Sequence, residues 1–403
     1  MGKITVALLA LALTAAVQYA SAAPSAAGFV TTAGTKFALD GKPYTVVGSN
    51  SYWVGLNGFS AEVMDQAFSD IADSGATTVR TWGFNEVTSP NGVPYYQSWS
   101  GSTPTVNTGA DGLENFDNVV SAAAANGLKL IVALTNNWAD YGGMDVYTKQ
   151  ILGSSNDHDA FYTNDEIKAS TSHCLGFTAS SDALAQTAFK DYIKTFVSRY
   201  ADEPTILAWE LANEPRCKGS PGTSSGSCTT ATVTKWIEEI SAYIKSIDSN
   251  HLVGVGDEGF FNQPGNPSYP YQGGEGIDFD ANLAIDSVDF GTFHAYPESW
   301  GQSNNPKEWG VQWIADHATS QENVGKPVII EEFGVTSNQE QTYTAWLKEV
   351  VSSGLAGDLI WQAGSHLPNG DSADDGFAIF PDDPVYPLLQ SHAKELKSRD
   401  GSA

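Results

Sequence analysis

The chain has 403 residues and a formal net charge of −27 at pH 7, with 47 acidic residues against 20 lysines and arginines. This excess of negative charge disfavours nucleic acid and anionic membrane surfaces as partners, because both would repel it. The length would accommodate two ordinary domains or one large α/β barrel, since such barrels extend from roughly 200 to over 400 residues.

The N-terminal segment has the pattern of a secretory signal peptide. Lys3 precedes an apolar stretch from 4 to 17, and Ala20-Ser21-Ala22 forms a small-residue cleavage site. We therefore expect residues 1–22 to be removed and the mature chain, 23–403, to be soluble and secreted to the extracellular medium. A membrane anchor is the weaker interpretation, because the apolar stretch is short for a bilayer span.

Beyond this segment, apolar runs typical of strands alternate with amphipathic segments of helix length, as in repeated βα units. The eight predicted strands are 44–53, 76–84, 128–138, 206–215, 251–261, 288–300, 326–335 and 356–364. The predicted helices include 60–75, 114–127, 181–202, 232–250 and 338–354. This pattern predicts a (β/α)8 TIM barrel in a single domain. A doubly wound open sheet is the alternative, and it is disfavoured because no GxGxxG follows the first strand.

Three cysteines are present, Cys174, Cys217 and Cys228. Secretion favours disulfides, and an odd count leaves one thiol over. Cys217 and Cys228 flank KGSPGTSSGS, a flexible segment that can close easily. We therefore expect these two to pair, which leaves Cys174 as a free thiol.

Polar and aromatic residues gather at the predicted carboxyl ends of the strands, where the active site of such barrels lies. In strand order they are Trp53; Arg80 and Trp82; Asn136, Asn137 and Trp138; Asn213 and Glu214; Asp257 and Glu258; His294, Tyr296 and Trp300; Glu331 and Glu332; and Trp361. If the strands are correct, all of these side chains should face one mouth. Two carboxylates can cleave a glycosidic bond, and aromatic rings suit the apolar C–H faces of sugars. A metal site and a serine nucleophile are disfavoured, because no HExxH-like ligand spacing and no GxSxG elbow is present.

The motifs WELANEPRC, VRTWGF, TNNW, GDEGFF, FHAYPESW and IIEEFG resemble those of secreted fungal endo-β-1,4-mannanases in glycoside hydrolase family 5. The resemblance runs from about Phe29 to near the C-terminus. It implies endo-acting hydrolysis of internal β-1,4-mannosidic bonds in mannan, galactomannan or glucomannan, with retention of anomeric configuration. We expect one catalytic domain without a separate carbohydrate-binding module, no cofactor and no metal. The expected partner is a polysaccharide, with no nucleic acid and no membrane, and the expected state is a monomer.

The resemblance also implies roles for single residues. Glu214 would be the general acid/base and Glu332 the nucleophile, with Arg80 keeping Glu332 ionised through its positive charge. Asn213 would bind the sugar 2-hydroxyl. The remaining implied contacts are His294 near the acid/base, Tyr296 orienting Glu332, Trp361 as a stacking floor, and Trp138, Arg216, Glu258 and Trp300 at more distant subsites.

Two other carboxylates lie close in sequence to this pair. Glu331 directly precedes Glu332, and neighbours on a strand point to opposite faces, so only one of the two should reach the mouth. The resemblance selects Glu332. Glu210, four residues before Glu214, is interpreted as a paired carboxylate of the barrel interior.

Two alternative functions remain open at this point. One is an endo-β-1,4-glucanase of the same family, although cellulases usually carry His at the third strand end, where this chain has Asn. The other is a polysaccharide-binding barrel without catalysis. That alternative is disfavoured because a binding protein gains nothing from two carboxylates that repel each other.

Overall fold

The computed structural model describes residues 27–402, except 155, 165–166, 168–187, 221 and 223. The predicted signal peptide, the predicted free thiol Cys174 and most of the segment 158–177 lie outside the described residues. Among the helices that are described, none combines the length and apolar character needed to cross a membrane.

The strands, in chain order, are β1 (Val30–Ala33), β2 (Lys36–Leu39), β3 (Lys42–Tyr44), β4 (Val46–Asn50), β5 (Thr78–Trp82), β6 (Glu86–Val87), β7 (Gln97–Ser100), β8 (Thr103–Val106), β9 (Lys129–Ala133), β10 (Ile206–Glu210), β11 (Leu252–Gly254), β12 (Gly291–Ala295), β13 (Val328–Phe333), β14 (Gly357–Ile360), β15 (His366–Leu367) and β16 (Gly370–Asp371). The helices are α1 (Ala61–Asp73), α2 (Leu113–Ala125), α3 (Met144–Leu152), α4 (Ala160–Thr163), α5 (Ala188–Tyr200), α6 (Thr230–Ile247), α7 (Phe279–Leu283), α8 (Pro306–Val324), α9 (Gln339–Ser353) and α10 (Tyr386–Asp400). Two 3-10 turns lie at Tyr52–Gly55 and Tyr269–Tyr271.

Eight parallel strands form the barrel, and they follow one another around it in chain order: β4, β5, β9, β10, β11, β12, β13 and β14. β14 pairs with β4, which returns the ring to its start. Between β11 and β12 the contact consists of separate hydrogen bonds. The N–H of Asp289 donates to the carbonyl of Val253 (2.8 Å), and the N–H of His294 donates to that of Glu258 (3.3 Å). The predicted (β/α)8 barrel is confirmed, and each barrel strand lies inside its predicted range.

Burial explains why the barrel strands appear in the sequence as continuous apolar runs. Every residue of β5, β10, β12 and β13 is buried, because one strand face packs in the barrel and the other beneath the helices. Helix starts also follow the sequence signals. The Ser60 side chain accepts a hydrogen bond from the N–H of Val63 at the start of α1, and Thr229 and Thr232 form a capping box at the start of α6.

The hairpin β1–β2–β3 covers the end of the barrel where the strands begin. Val30 and Phe37 of the hairpin pack against residues near the strand starts, including Val46, Leu252 and Phe290. This contact fills the amino-terminal end of the barrel with apolar side chains.

Candidate active site

A cleft crosses the carboxyl ends of the barrel strands and has a volume of about 520 Å³. Its lining consists of Trp82, Asn136, Trp138, Asp140, Asn213, Glu214, Arg216, Glu258, Tyr269, Tyr296, Ser299, Trp300, Glu332, Trp361 and Phe377. Nine of the residues implied by the resemblance are in this lining. The other two, Arg80 and His294, are fully buried beneath it.

Arg80 on β5 connects the strands below the cleft. Its Nη1 donates to Glu332 Oε1 (2.5 Å), its Nη2 to Asn213 Oδ1 (2.9 Å), and its Nε to Glu210 Oε2 (2.8 Å). Burial lowers the pKa of Arg80, but the surrounding carboxylates raise it above its ordinary value. The guanidinium therefore stays charged and fixes the carboxylate of Glu332.

Glu332, near the end of β13, is held by donors on both oxygens. Arg80 contacts Oε1, and the hydroxyl of Tyr296 donates to Oε2 (2.8 Å). Burial raises the pKa of Glu332 above its ordinary value, and the positive charges of His294 and Arg80 limit that rise. Two fixed donors give this carboxylate one orientation toward the cleft.

Glu214 follows β10 and faces Glu332 from the other side. Its Oε1 lies 2.8 Å from Nδ1 of His294, and its Oε2 accepts from Nε1 of Trp138 (2.5 Å). The backbone of Glu214 is left-handed (φ 51°) and is held there by a hydrogen bond from its N–H to the carbonyl of Gly256 (2.8 Å). Such a conformation is costly for a non-glycine residue and is typical of functional sites.

His294 makes the two carboxylates titrate together. Burial lowers the pKa of His294, but the charge of Glu332 and the hydrogen bonds with Glu214 and Glu331 raise it well above its ordinary value. Burial raises the pKa of Glu214, but the bond to His294 and the charges of His294 and Arg216 bring it down to about 2. In the free protein the shared proton therefore rests on His294. Glu214 becomes an acid when that proton moves from Nδ1 to Oε1 within the hydrogen bond, whose heavy atoms are 2.8 Å apart.

The two carboxylates are close enough for one sugar bond to lie between them. One oxygen of Glu214 and one of Glu332 lie within 4.8 Å of each other. Carboxyl groups roughly 5–5.5 Å apart are typical of retaining glycosidases, whereas inverting ones need roughly 6.5–9.5 Å to admit a water. The geometry favours a nucleophile and an acid/base over a water-activating pair.

Glu214, His294 and Glu332 are also the side chains, among those described, whose ligand atoms come close enough for a metal ion. Arg80 lies 2.5 Å from Glu332 and would repel a second cation there. Tyr296 occupies the other oxygen of Glu332. These hydrogen-bond partners suit catalysis by the carboxylates better than coordination of a metal ion.

One wall of the cleft is built around Arg216. Its guanidinium makes two hydrogen bonds to the carboxylate of Glu258, both 2.5 Å, and lies 5.1 Å from the rings of Trp138 and Phe260. Burial raises the pKa of Glu258, the charge of Arg216 opposes the rise, and the result is about 7. The predicted disulfide is confirmed between Cys217 and Cys228, so it begins at the residue next to Arg216.

The opposite wall is aromatic. Trp361 stacks on Tyr52, with ring centroids 5.4 Å apart and planes 5° apart. Trp82 contacts both Tyr52 and Tyr141. Trp82 is therefore both a packing residue and part of the cleft lining. The exposed rings offer flat faces for a sugar.

Three strand-end predictions need correction. Trp53 does not face the mouth: β4 ends at Asn50, the chain turns through Tyr52–Gly55, and Trp53 is fully buried in the core. Asp257 is also buried, with its carboxylate bonded to Asn282 and to the N–H of Gly259. After the first barrel strand, the side chain that contacts the cleft lining is Tyr52, which packs against Trp82 and Trp361.

The third correction concerns Glu331, which does not point away from Glu332 as predicted. Its carboxylate lies 3.4 Å from Nε of Arg80, the same side chain that binds Glu332, and 3.5 Å from Nε2 of His294. The register of β12 against β13 shifts between Phe293 and His294, so the regular alternation of side chains is interrupted at this level. Glu210 is paired with Arg80 in the barrel interior, in agreement with its interpretation as a paired carboxylate.

Several contacts were missed from the sequence because they lie in loops. Asp140, Tyr141, Tyr269 and Phe377 are in or beside the cleft, and no periodic pattern marks them. Asn50 is different, because it ends β4 and lies 3.2 Å from Nη1 of Arg80. A polar residue at the end of an apolar strand is a signal that could have identified it.

The described start of the segment 158–177 also supports the site. His158 is buried and its Nε2 lies 2.9 Å from Oδ1 of Asn137, which in turn accepts from the N–H of Arg216 (3.0 Å). His158 Nδ1 lies 2.8 Å from Asp145. These bonds link the segment to the Arg216 wall.

Comparison with known proteins gives one family. Residues 27–352 match the family described as GH family 5 beta-mannosidase-like. Mannan endo-1,4-beta-mannosidase A of Aspergillus aculeatus is 43% identical over 356 residues, which cover 87% of this chain and 86% of that protein. A probable mannan endo-1,4-beta-mannosidase A of Aspergillus flavus is 43% identical over 387 residues, covering 94% and 92%.

Among solved structures, the endo-1,4-beta-mannanase of Rhizomucor miehei superposes with a TM-score of 0.81 at 41% identity. The match covers 92% of this chain and 99% of that one. An endo-1,4-beta-D-mannanase of Thermotoga petrophila matches with a TM-score of 0.72 at 33% identity, covering 87% and 99%. Both structures therefore match most of this chain.

Proposed function

Because the chain belongs to the GH family 5 beta-mannosidase-like glycoside hydrolases, we propose that it hydrolyses internal β-1,4-mannosidic bonds of mannan, galactomannan and glucomannan. The reaction proceeds with retention by double displacement. The observation that carries the proposal is the placement of Glu214 and Glu332 within 4.8 Å of each other, each with its own set of donors.

In the first step Glu332 attacks the anomeric carbon while Glu214 donates its proton to the departing oxygen. Arg80 and Tyr296 keep the attacking carboxylate ionised and aimed. The proton that Glu214 gives up is the one it shares with Nδ1 of His294. This step produces a glycosyl ester with Glu332 and releases the part of the chain on the other side of the cleaved bond.

In the second step Glu214, now a carboxylate, takes a proton from water, and the resulting hydroxide displaces Glu332 from the sugar. The configuration at the anomeric carbon is inverted twice and is thus retained. Asn213 lies between Arg80 and the cleft, which is the position to bind the 2-hydroxyl of the sugar at the cleavage point. Such a contact strengthens as the oxocarbenium-like transition state develops.

Contacts farther along the cleft from the two carboxylates are consistent with an endo mode of action. Trp361 provides a stacking face near the carboxylates, and Arg216, Glu258, Trp138 and Trp300 line the cleft farther along. The cleft is open enough for a polymer to cross it, because its lining extends over the ends of several strands. Several mannose units can therefore bind on both sides of the scissile bond.

The test is product analysis with mannohexaose. The wild type should release shorter oligosaccharides whose new reducing ends are first formed in the β configuration, detected by proton NMR. Glu332→Ala should abolish turnover, and Glu214→Gln should lower it strongly for unactivated substrates, with both variants still folded by circular dichroism. Unchanged turnover in folded Glu332→Ala would refute the assignment.

The alternative substrate within the family is cellulose. Parallel assays on carboxymethyl cellulose and on galactomannan separate the two, because a mannanase releases reducing ends faster from galactomannan. Faster release from cellulose would replace the proposed substrate by a β-1,4-glucan.

We also propose that the protein acts outside the cell as a monomer, as one catalytic domain over 23–403 without cofactor. The apolar N-terminal stretch followed by Ala20-Ser21-Ala22 supports export. N-terminal sequencing of protein from a culture medium should find Ala23 first, and light scattering should give the mass of one chain.

A further inference from the structure

Two buried carboxyl groups beneath the cleft take no part in the proposed reaction. Glu210 on β10 and Glu331 on β13 are both fully buried. Each has one oxygen, Oε1, without a hydrogen-bond donor among the described residues. An acceptor oxygen in the barrel interior without a donor is costly, so the two orphaned atoms need an explanation.

The charges around Arg80 do not balance if every carboxyl is ionised. Arg80 is in contact with three of them, Glu210 (2.8 Å), Glu331 (3.4 Å) and Glu332 (2.5 Å). His294 adds a second positive charge, 3.5 Å from Glu331 and 3.6 Å from Glu332, but two cations do not neutralise three buried carboxylates, and like charges at this distance do not all remain ionised. At least one proton must be present among them.

The side chains of Glu210 and Glu331 meet at one atom of Arg80, because an oxygen of each lies near its Nε, at 2.8 Å and 3.4 Å. Two carboxylates cannot bond unless one carries a proton, because both are acceptors only. A single proton between them also supplies the missing partner of the two orphaned oxygens.

We propose that Glu210 and Glu331 share one proton, carried by Glu210, and that the ionised Glu331 is a positioning residue that fixes the protonation of His294 for its exchange with Glu214. The inference rests on the proposed function for its catalytic meaning. The assignment of the charge follows from the cationic neighbours: Glu331 contacts both Arg80 and His294, whereas among the described residues the cation in contact with Glu210 is Arg80. The close contact of Arg80 with Glu210 is kept, since the carbonyl oxygen of a carboxylic acid still accepts a hydrogen bond.

Electrostatics agrees with this geometry. Burial raises the pKa of Glu210 well above its ordinary value, with Arg80 opposing and Glu331 adding to the rise. Burial also raises the pKa of Glu331, but Arg80, the bond from Glu210 and His294 outweigh it and lower the net value. The groups that face the pair are Arg80 from β5, His294 from β12, Glu332 from β13, Glu214 beyond β10 and Asp257 beyond β11. Gly256 closes the space beside Glu210, because a Cβ there would lie 3.2 Å from Glu210 Oε2.

The consequence for His294 is a defined tautomer. An ionised Glu331 only accepts, so Nε2 of His294 must carry a hydrogen toward Glu331 Oε2 (3.5 Å). Nδ1 is then free to exchange its proton with Glu214 Oε1 (2.8 Å). With a neutral amide in place of Glu331, Nε2 could accept instead, and His294 would hold its second proton less tightly.

The test compares two variants of equal size, Glu331→Gln and Glu210→Gln. In Glu331→Gln the lost negative charge should move the basic limb of the kcat/KM profile on mannohexaose down by about 1–3 pH units. In Glu210→Gln the amide replaces a neutral acid, so the basic limb should stay within about 0.3 pH units of the wild type. kcat is expected to fall in both variants because both side chains pack against Arg80. Thermal unfolding monitored by circular dichroism verifies that each is folded.

An equal shift of the basic limb in the two variants, or a shift in Glu210→Gln alone, overturns the proposal. Neutron diffraction of the deuterated wild type provides a second measurement that needs neither turnover nor a folded variant. A deuteron on Glu210 directed at Glu331, together with one on Nε2 of His294, supports the proposal, and its absence overturns it. If the deuterons are present but mannohexaose is not cleaved, the shared proton stands and the proposed function fails.

Discussion

At the scale of single residues, the hydroxyl of Tyr296 is the simplest test of how Glu332 is held. Tyr296→Phe removes one hydrogen bond of 2.8 Å to a charged acceptor and leaves the ring in place. A hydrogen bond to a charged group contributes about 1.5–3 kcal/mol, so kcat on galactomannan should fall about 10- to 150-fold. Steady-state kinetics measures this, and KM should change little.

The matched control is Tyr269→Phe, which removes a hydroxyl from the same cleft. That hydroxyl accepts from Nη1 of Arg216 (3.1 Å) and touches neither catalytic carboxylate. Its loss should change kcat by no more than a few-fold. Equal losses of kcat in the two variants would mean that Tyr296 does not act through Glu332.

The residue scale also shows what the sequence could and could not predict about the site. Glu214 and Arg80 could be identified because each is a charged side chain near the carboxyl end of a predicted apolar strand, where it stands out. The carboxylate of Glu331 was misplaced, because the alternation rule assumes a regular register and β12 shifts against β13 there. A register shift depends on contacts between strands that are distant in sequence, so no local pattern reveals it.

At the scale of elements, the hairpin formed by β15 and β16 carries a pH-dependent bridge. Its His366 lies between Asp371 (2.7 Å) and Asp382 (3.0 Å), and hydrogen bonds to these two carboxylates raise the pKa of His366 from 6.5 to about 8. A raised folded-state pKa gives stabilisation that is fully present below pH 6.5 and is lost as the pH rises through about 8. The melting temperature of the wild type should therefore fall over this interval by more than that of His366→Gln.

The difference between the two melting curves isolates this bridge, because every other titrating group is common to both proteins. The effect should be small, since the side chain of His366 is 51% exposed and solvent screens the pair. Parallel melting curves for wild type and His366→Gln between pH 6 and 9 would contradict the prediction.

The disulfide loop is a second element with a measurable contribution. Cys217 and Cys228 are 11 positions apart, and closing a loop of this size removes about 2–3 kcal/mol of unfolded-state entropy. The double variant Cys217→Ser/Cys228→Ser should lose that much free energy of unfolding in urea titrations. KM should also rise, because the N–H of Cys217 donates to the carbonyl of Glu275 (2.8 Å) and so fixes the chain beside Arg216.

Wild-type protein treated with a reductant is the natural comparison, because the reductant breaks the same disulfide bond without replacing any residue. It should reproduce both the loss of stability and the rise in KM. If KM stays constant in the double variant while stability falls, the loop contributes to folding alone and not to the Arg216 wall.

Elements of the barrel were predictable where their pattern is periodic. All eight barrel strands and the starts of α1 and α6 follow from apolar runs and capping residues. The sheet of β6, β7 and β8 was not predicted, because its strands are two to four residues long and only partly buried. Short strands of this kind are stabilised by the barrel on which they pack, and their own sequence is a weak signal.

At the scale of the whole molecule, the barrel separates stability from chemistry. The end where the strands begin is filled by the hairpin β1–β2–β3, and the end where they finish carries the cleft. The sequence predicted the functional end, because polar residues there interrupt apolar strands. It did not predict the hairpin, since its residues contact barrel strands that are far away along the chain.

This separation predicts different effects of mutations at the two ends. Phe37 on β2 is 2% exposed and packs against the edge of Phe290 with ring centroids 5.7 Å apart. Phe37→Ala should lower the free energy of unfolding by about 3–5 kcal/mol, because it removes a large ring and leaves a cavity under the barrel. Urea titration followed by tryptophan fluorescence measures the loss.

Well below the melting temperature, kcat/KM of Phe37→Ala should equal that of the wild type, since no contact of Phe37 reaches the cleft at the opposite end. Thr32→Ala in the same hairpin is the control, because Thr32 is exposed and its change should stay within about 0.5 kcal/mol. A change in KM of folded Phe37→Ala would show that the two ends are coupled through the strands. In that case the barrel could not be treated as a rigid support whose one end serves folding and whose other end serves the reaction.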